Sequence, residues 1–434
     1  MNLVAPFFYL TLKIRNNMYI KNIRAIACPV CSSTRLHSFL SIPDFPIYLH
    51  AVGDDVEQLY RDLDYACCME CGHAFIPDYD MDILEDIYQH HYWGADAANI
   101  AYSQRNDFIN LYRNVRELIY HEHLTVLEIG CSSGQMLKDL KNTFPNDTYF
   151  GCEPNIANAT ICNNLGFKVS NCFFTHENSK NLLLLNKKQY FDIIYHRHVI
   201  EHIFDFNDFF KGMSNIANPE SYLLIETPSL EKNLDGNSLD PFHHEHVHVF
   251  SLSSLIKLAS TFNWRYQQSI STELGNMVVV FERGIISSNM LNRHTTENII
   301  PAPDTRNYSR CITAWQEQLS HHVDSKDLIF WGAGSYCTLI MSVCKLEPSR
   351  IIDGNMSKVG SRMPGSSIII EYAPDVVSSL ISQDSTESLM VITSGFHKEI
   401  SSELISLGWK GKILIPSLLL NQQKHHLPVD MDKS

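Results

Sequence analysis

Asp240-Pro-Phe-His-His-Glu-His-Val-His-Val-Phe-Ser251 places five His or Glu side chains within twelve residues. Metal binding is one chemistry open to such a run, although zinc sites seldom use adjacent histidines. A solvated surface loop is another. The reading favoured here is an acid–base cluster, because histidine near its ordinary pKa takes a proton at neutral pH and a nearby carboxylate can hold its tautomer. A second set of reactive groups lies in Cys28-Pro-Val-Cys31 and Cys67-Cys-Met-Glu-Cys71-Gly-His73. Two Cys-x-x-Cys knuckles, Cys28 with Cys31 and Cys68 with Cys71, each aim two thiolates at one point and together complete a closed tetrahedral zinc site. Cys67 and His73 are the substitute ligands, and buried or redox thiols are the metal-free reading. Four thiolates leave no open position, so such a zinc is structural.

These groups need a scaffold, and the clearest piece of one is Thr125-Val-Leu-Glu-Ile-Gly-Cys-Ser-Ser-Gly134. Its apolar run predicts a buried parallel strand, Gly130 and Gly134 permit a sharp turn close to a ligand, and a helical pattern follows over Gln135–Asn142. The spacing is Glu128-x-Gly130-x-x-x-Gly134, so dinucleotide binding is not the first reading. Tyr149 to Glu153 reads as a second strand ending in an acid, 23 positions past Gly130, where a carboxylate can take ribose hydroxyls. Phe191–Tyr195 reads as a fourth strand running into His198-Val-Ile-Glu-His202. Here the chain resembles a class I S-adenosylmethionine (SAM) methyltransferase. The resemblance implies Glu128, Gly130, Gly134, Glu153 and His198 as cofactor-binding residues.

Length and composition set the frame. A chain of 434 residues predicts two or three domains, and 44% hydrophobic content describes a globular protein. A net charge of −14 with no basic stripe disfavours nucleic acid as partner. No apolar run has transmembrane length, so no membrane partner is expected either. Twelve cysteines that include two metal-type knuckles favour a reducing compartment and a cytoplasmic protein. The expected state is a monomer or homodimer. Residues 1–17 read as a disordered leader or an upstream start before Met18.

The expected fold is α/β. It comprises a leader (1–25), a zinc-binding module (26–80), a helical connector (81–120), a Rossmann-like SAM-binding domain (121–284), a helical segment (285–324), a second Rossmann-like domain (325–418) and a tail (419–434). Asp78–Ile87 and Asn106–Tyr120 carry helical periodicity, and the aromatic, His-rich stretch 88–93 between them could close over a substrate. Further strands are expected at Phe167–Ser170, Ser221–Glu226, Trp264–Ser269 and Asn276–Glu282, with a helix beginning near Ser251 or Ser253. Ligands sit beyond the carboxyl ends of such strands, which brings Gly130–Gly134, Glu153 and Arg197–His202 to one site. In the last domain Asp327–Gly334 and Arg350–Asp353 repeat the strand, glycine and acid pattern. Gly332 and Gly334 with Asp353 form a weak dinucleotide fingerprint.

The order of these parts resembles the sugar C-methyltransferases, which methylate carbon 3 of nucleotide-linked 4-keto-deoxysugars. The resemblance runs from about Cys28 to about Pro416. It implies zinc on Cys28, Cys31, Cys68 and Cys71, SAM ribose on Glu153, and a sugar nucleotide in the cleft facing the last domain. The family's histidine after the fourth strand falls on His202, and its Tyr-His-Glu-His loop on His243-His244-Glu245-His246. Two departures are His243 in place of tyrosine and Cys131-Ser-Ser-Gly134 in place of Ser-Asn-Asp-Gly. A 4-keto group acidifies the adjacent C–H, so a base and an oxyanion stabiliser are required. His246 is the candidate base, Glu245 orients it, and His202 with His243 positions or polarises the carbonyl. O-methylation of a sugar or small metabolite is the alternative within the enzymes. A nicotinamide oxidoreductase leaves the first domain unexplained, and a catalytically lapsed zinc and SAM-fold scaffold is the non-enzymatic alternative.

Overall fold

The computed structural model describes residues 8–13, 19–50, 58–80, 102–187, 189–235, 238–272, 275–284, 327–383 and 385–416, with 313, 315–317 and 319. Two compact units emerge. One is built from Met1–Ser38, Tyr65–Lys232 and His244–Pro303, the other from Phe39–Asp64, Asn233–His243 and Asp304–Ser434. The segment 26–80 is thus split between units. Its strand β3 (Leu36–Pro46) carries buried Leu40, Ile42 and Phe45 beyond the cysteine knuckles, apolar residues that need a core of their own.

The leader expected over 1–25 is a correction, since it contains strands. β1 (Phe8–Lys13) pairs antiparallel with β2 (Tyr19–Arg24). After β3 come β4 (Tyr60–Cys68), β5 (Ala74–Phe75) and β6 (Asp78–Asp80), the last paired with β2. Asp78–Asp80, where the expected helix would begin, are thus strand; the rest of that segment, within 81–101 and with the His-rich stretch, lies outside the described residues.

Helix α1 (Tyr102–Leu118) is part of the first unit's core. Phe108, Leu111, Tyr112 and Val115 recur at helical spacing and pack with Leu124, Val126, Leu137 and Ile193. Its apolar face joins it to the core of the strand-and-helix domain that follows, whereas the sequence reading places 102–118 in a separate connector.

The chain then alternates strand and helix: β7 (Thr125–Ile129), α2 (Gln135–Thr143), β8 (Thr148–Cys152), α3 (Ile156–Asn164), β9 (Lys168–Ser170), α4 (Ser179–Leu185), β10 (Phe191–Arg197), α5 (Phe206–Ile216), β11 (Ala217–Pro228), α6 (Leu230–Asp235), β12 (His248–Val249), α7 (Leu252–Thr261), β13 (Trp264–Ser271) and β14 (Asn276–Arg283). The large sheet has the order β13-β14-β11-β10-β7-β8-β9. Five strands are parallel and the β13–β14 hairpin closes one edge antiparallel. Leu127 and Ile129 enter one core and Val126 the other, so β7 is apolar on both faces. The strand order reverses between β7 and β10, which opens a crevice beyond their carboxyl ends.

Within the second unit, β15 (Asp327–Trp331), α8 (Ser335–Cys344), β16 (Arg350–Asp353), β17 (Ile370–Tyr372), α9 (Ala373–Ser382), β18 (Ser388–Ile392), α10 (His397–Leu407) and β19 (Lys412–Leu414) form an all-parallel sheet ordered β17-β16-β15-β18-β19. The short β17 and α9 escaped the sequence reading. Gly332 has a packing reason: at φ 121°, a Cβ there would lie 2.7 Å from the Thr393 carbonyl. Asp353 accepts from the Ala333 and Asn355 amides at 2.8 Å each and lies 3.1 Å from Lys358 Nζ. The tail 419–434 lies outside the described residues.

Candidate active site

The turn after β7 is built around its glycines. Gly130 (φ 72°) and Gly134 (φ 81°) are left-handed, and a Cβ at either would meet Val199 Cγ2 at 2.6 Å or Cys162 Sγ at 2.7 Å. The carboxylate of Glu153, buried at the end of β8, accepts from Ser132 N and Asn155 N at 2.9 Å each. Burial pushes its pKa up against the pull of those two amides. The acid thus fixes the glycine turn to the start of α3.

Above this turn lies a cavity of about 520 Å³, lined among others by Glu128, Gly130, Glu153, His198 and His202. Its volume is in the range of cofactor sites. A turn shaped to exclude side chains and a buried carboxylate with unused lone pairs fit a ribose-bearing ligand. Glu128, also buried, accepts from Tyr195 Oη at 2.9 Å; burial pushes its carboxyl up to about 8 despite Arg197 and Tyr195. Arg197 lies over the Phe108 ring and pairs with buried Glu226 at 2.5 Å. Of the five sequence-derived cofactor residues, Glu128, Gly130, Glu153 and His198 line this cavity, whereas Gly134 closes the turn beneath it and is not part of the lining.

The histidines gather where β10 ends. His198 (φ 53°) holds a left-handed backbone uncommon for a non-glycine residue. Its Nδ1 lies 3.1 Å from Glu201 Oε1 and its Nε2 3.3 Å from Asn276 Nδ2. Glu201 Oε2 accepts from Thr227 Oγ1 at 3.0 Å, in a wholly buried position. His202 Nδ1 lies 2.6 Å from the Glu245 carbonyl, and the His202 and His246 rings meet edge to face at 4.9 Å. Ligand-type atoms of Glu201, His202 and His246 all fall within 4.8 Å of one another. Burial pulls His202 down; for Glu201 burial raises the carboxyl, but the bond and charge of His198 outweigh it and hold it low.

Glu245 sits differently from the sequence expectation. Its main-chain carbonyl bonds to the cluster, while its buried side chain is pushed up to about 7 by desolvation. The carboxylate beside the two rings is that of Glu201, which sequence reasoning passed over. The signal was present, since Glu201 stands three residues after His198, in the short turn Ile200–His202 that follows it. His243 is buried and belongs to the second unit, whose boundary with the first falls just before His244.

The run 240–251 is not all loop, because His248 and Val249 pair as β12 with Phe75 and Ala74 of β5. Tyr65 Oη donates to the His246 carbonyl, and the Cys71 carbonyl accepts from Ser251 and Ser253 hydroxyls at 3.1 and 3.0 Å. Ser251 also caps α7.

The four knuckle cysteines converge, with Cys28 Sγ 3.6 Å from Cys71 Sγ and Cys31 Sγ 3.5 Å from Cys68 Sγ. Four thiolates about 2.3 Å from a zinc ion lie about 3.8 Å apart, so this set fits the metal. Cys67 and His73 face elsewhere: the first donates to the Cys68 carbonyl and the second meets His248 Nδ1 at 3.0 Å.

Residues 103–269 match a methyltransferase domain family. These residues thus form a methyltransferase domain. Over 373 residues the chain is 23% identical to the C-methyltransferase NovU of Streptomyces niveus, covering 80% of this chain and 86% of that protein. Solved structures matched include the plantazolicin methyltransferase BpumL (11% identity, 43% of this chain and 86% of that one, TM-score 0.34). Another is the N-methyltransferase NodS of Bradyrhizobium japonicum WM9 (14%, 42% and 97%, TM-score 0.31). Among the described residues no helix is long and apolar enough to cross a membrane.

Proposed function

We propose that the protein methylates carbon of a nucleotide-linked 4-keto-deoxysugar, with a structural zinc on Cys28, Cys31, Cys68 and Cys71. The observation that carries this reading is the convergence of Glu201, His202 and His246 beside a cavity fitted to SAM. When bound, SAM supplies an electrophilic methyl group. The acceptor carbon becomes a nucleophile only after losing a proton, and His246 is the base assigned to take it. Glu201 and His202 hold the ring beside them in place. Glu245 contributes its main-chain carbonyl, which anchors His202 beside the base. Glu153 and the glycine turn hold the cofactor's ribose.

The test uses full-length, zinc-loaded protein and a panel of nucleotide 4-keto-deoxysugars in deuterated water. With S-adenosylhomocysteine (SAH) bound, enolisation exchanges the acidic C–H for deuterium without methyl transfer. His246→Ala should abolish exchange while retaining SAH binding. No exchange with any keto sugar, coupled with transfer of labelled methyl to a hydroxyl, would replace this reading by O-methylation.

A further inference from the structure

Two thiol pairs flank the cofactor cavity. Cys152, the last residue of β8, and Cys172, two residues past β9, both line it, with their sulfurs 3.6 Å apart. Cys152 Sγ donates to the Cys172 carbonyl at 3.1 Å, and Ser170 Oγ lies 3.3 Å from Cys172 Sγ. Cys131 and Cys162 form the other pair at 3.9 Å, but Cys162 is wholly buried and bonded to the Ser132 carbonyl. Cys172 is only half-buried, and a reagent entering the cavity can reach it.

We propose that Cys152 and Cys172 form a reversible intramolecular disulfide that excludes SAM from the cavity. Closing the bond brings the sulfurs from 3.6 Å to about 2.05 Å. That movement is transmitted to the cofactor carboxylate, because Asn171, adjacent to Cys172, donates through Nδ2 to the carbonyls of Glu153 and Pro154 at 2.9 Å each. The disulfide also withdraws two soft side chains from the wall beside Glu153.

The oxidant is a hydroperoxide. The Cys172 thiolate attacks its distal oxygen, the O–O bond breaks, and the departing oxygen takes a proton; Cys172 becomes a sulfenic acid. Cys152 then attacks the sulfenic sulfur, and its thiol proton leaves with the hydroxyl as water. Two thiols lose two electrons in all and one peroxide is reduced. The nearness of the Cys152 thiol to the Cys172 sulfur supports the first step: it is the largest influence pulling the Cys172 thiol down to about 6, so that the thiolate dominates at neutral pH.

This inference rests on the SAM reading of the cavity. The test treats zinc-loaded, full-length protein with hydrogen peroxide, maps cross-links by mass spectrometry of a non-reduced digest, and titrates SAH by calorimetry. Expected are a Cys152–Cys172 cross-link, SAH affinity weakened by about tenfold or more, and recovery with dithiothreitol. By reciprocity, saturating SAH should slow cross-linking and raise the pair's reduction potential by about 30 mV for each tenfold of coupling. Cys172→Ser should bind SAH equally well before and after peroxide. A cross-linked protein that binds SAH undiminished overturns the proposal. So does a loss of affinity that persists in Cys172→Ser, since that loss belongs to other cysteines, either the Cys131–Cys162 pair or the knuckle thiols. Alkylation mapping of the wild-type thiols reads the same pair if that variant does not fold. Failure of the reduced protein to bind SAH sinks the cofactor reading itself, whereas the cross-link map still reports on the dithiol.

Discussion

His202 donates through Nδ1 to the main-chain carbonyl of Glu245, 2.6 Å away. A carbonyl only accepts, so the proton resides on Nδ1 and the lone pair on Nε2, on the side of the ring away from Glu245. The same bond joins the turn after β10 to the segment that carries His246. His202→Gln should lower kcat by roughly 10- to 100-fold, the scale of a misplaced catalytic group, with little change in SAH affinity. Stopped-flow or endpoint transfer of labelled methyl, paired with calorimetry, separates the two quantities.

Glu201→Gln keeps the shape but replaces an acceptor pair by one acceptor and one donor, opposite His198 Nδ1 and Thr227 Oγ1. Loss of the Glu201 charge should shift the acidic limb of the kcat profile to lower pH, because a cationic imidazole loses its counter-charge. A profile that only scales downward, with no shift, would leave Glu201 a packing residue.

At the other end of the cavity, Glu153→Ala strips the acceptor from the Ser132 and Asn155 amides as well as from the ribose. SAH affinity should fall by roughly 10- to 100-fold. Glu153→Gln retains one acceptor and should fall less, an ordering that calorimetry reads directly.

Metal analysis should find one zinc per chain. Cys68→Ala should release it and lower the melting temperature, because a closed four-thiolate site contributes folding free energy directly. Zinc retention in that variant would point to Cys67 as replacement ligand.

Buried histidine sets an acid limit on the fold. Burial pushes His196 down to about 4, and neither ring nitrogen has a partner among the described residues. Unfolding restores an ordinary value near 6.5, so the unfolded chain binds the extra proton. The stability held by neutral His196 is complete above about pH 6.5 and is lost as pH falls to about 4, at no more than about 1.4 kcal/mol per pH unit. Urea titrations at several pH values with zinc in excess should show a shallower slope for His196→Phe.

Local pattern made much of this legible. The strand, glycine turn and acid of the cofactor site are encoded by adjacent residues, and the knuckles by two-residue spacings. What the sequence hid depends on long-range contact. Glu201 stands in a quoted motif, yet its role emerges only where Thr227 and His198 surround it. Glu245 looked like the orienting acid because it adjoins His246 in sequence, whereas successive side chains need not face one way. The N-terminal strands show themselves only through pairing partners some residues or many residues away, such as Asp78–Asp80. The compact units each interleave three stretches of chain, which a plan of consecutive segments cannot express.

The pairing of β12 with β5 and the two serine bonds to the Cys71 carbonyl make the residues after His246 part of the cysteine module's own hydrogen-bonded fabric. A metal bound by those thiols, remote from any reacting atom, would then govern turnover through mechanical tethering: as chelator titrates the metal away, the base should lose alignment before the cofactor cavity loses its ligand. Rate and SAH affinity would part company along the same titration, and the module would serve as the fixed end of a lever whose free end is His246, the proposed base.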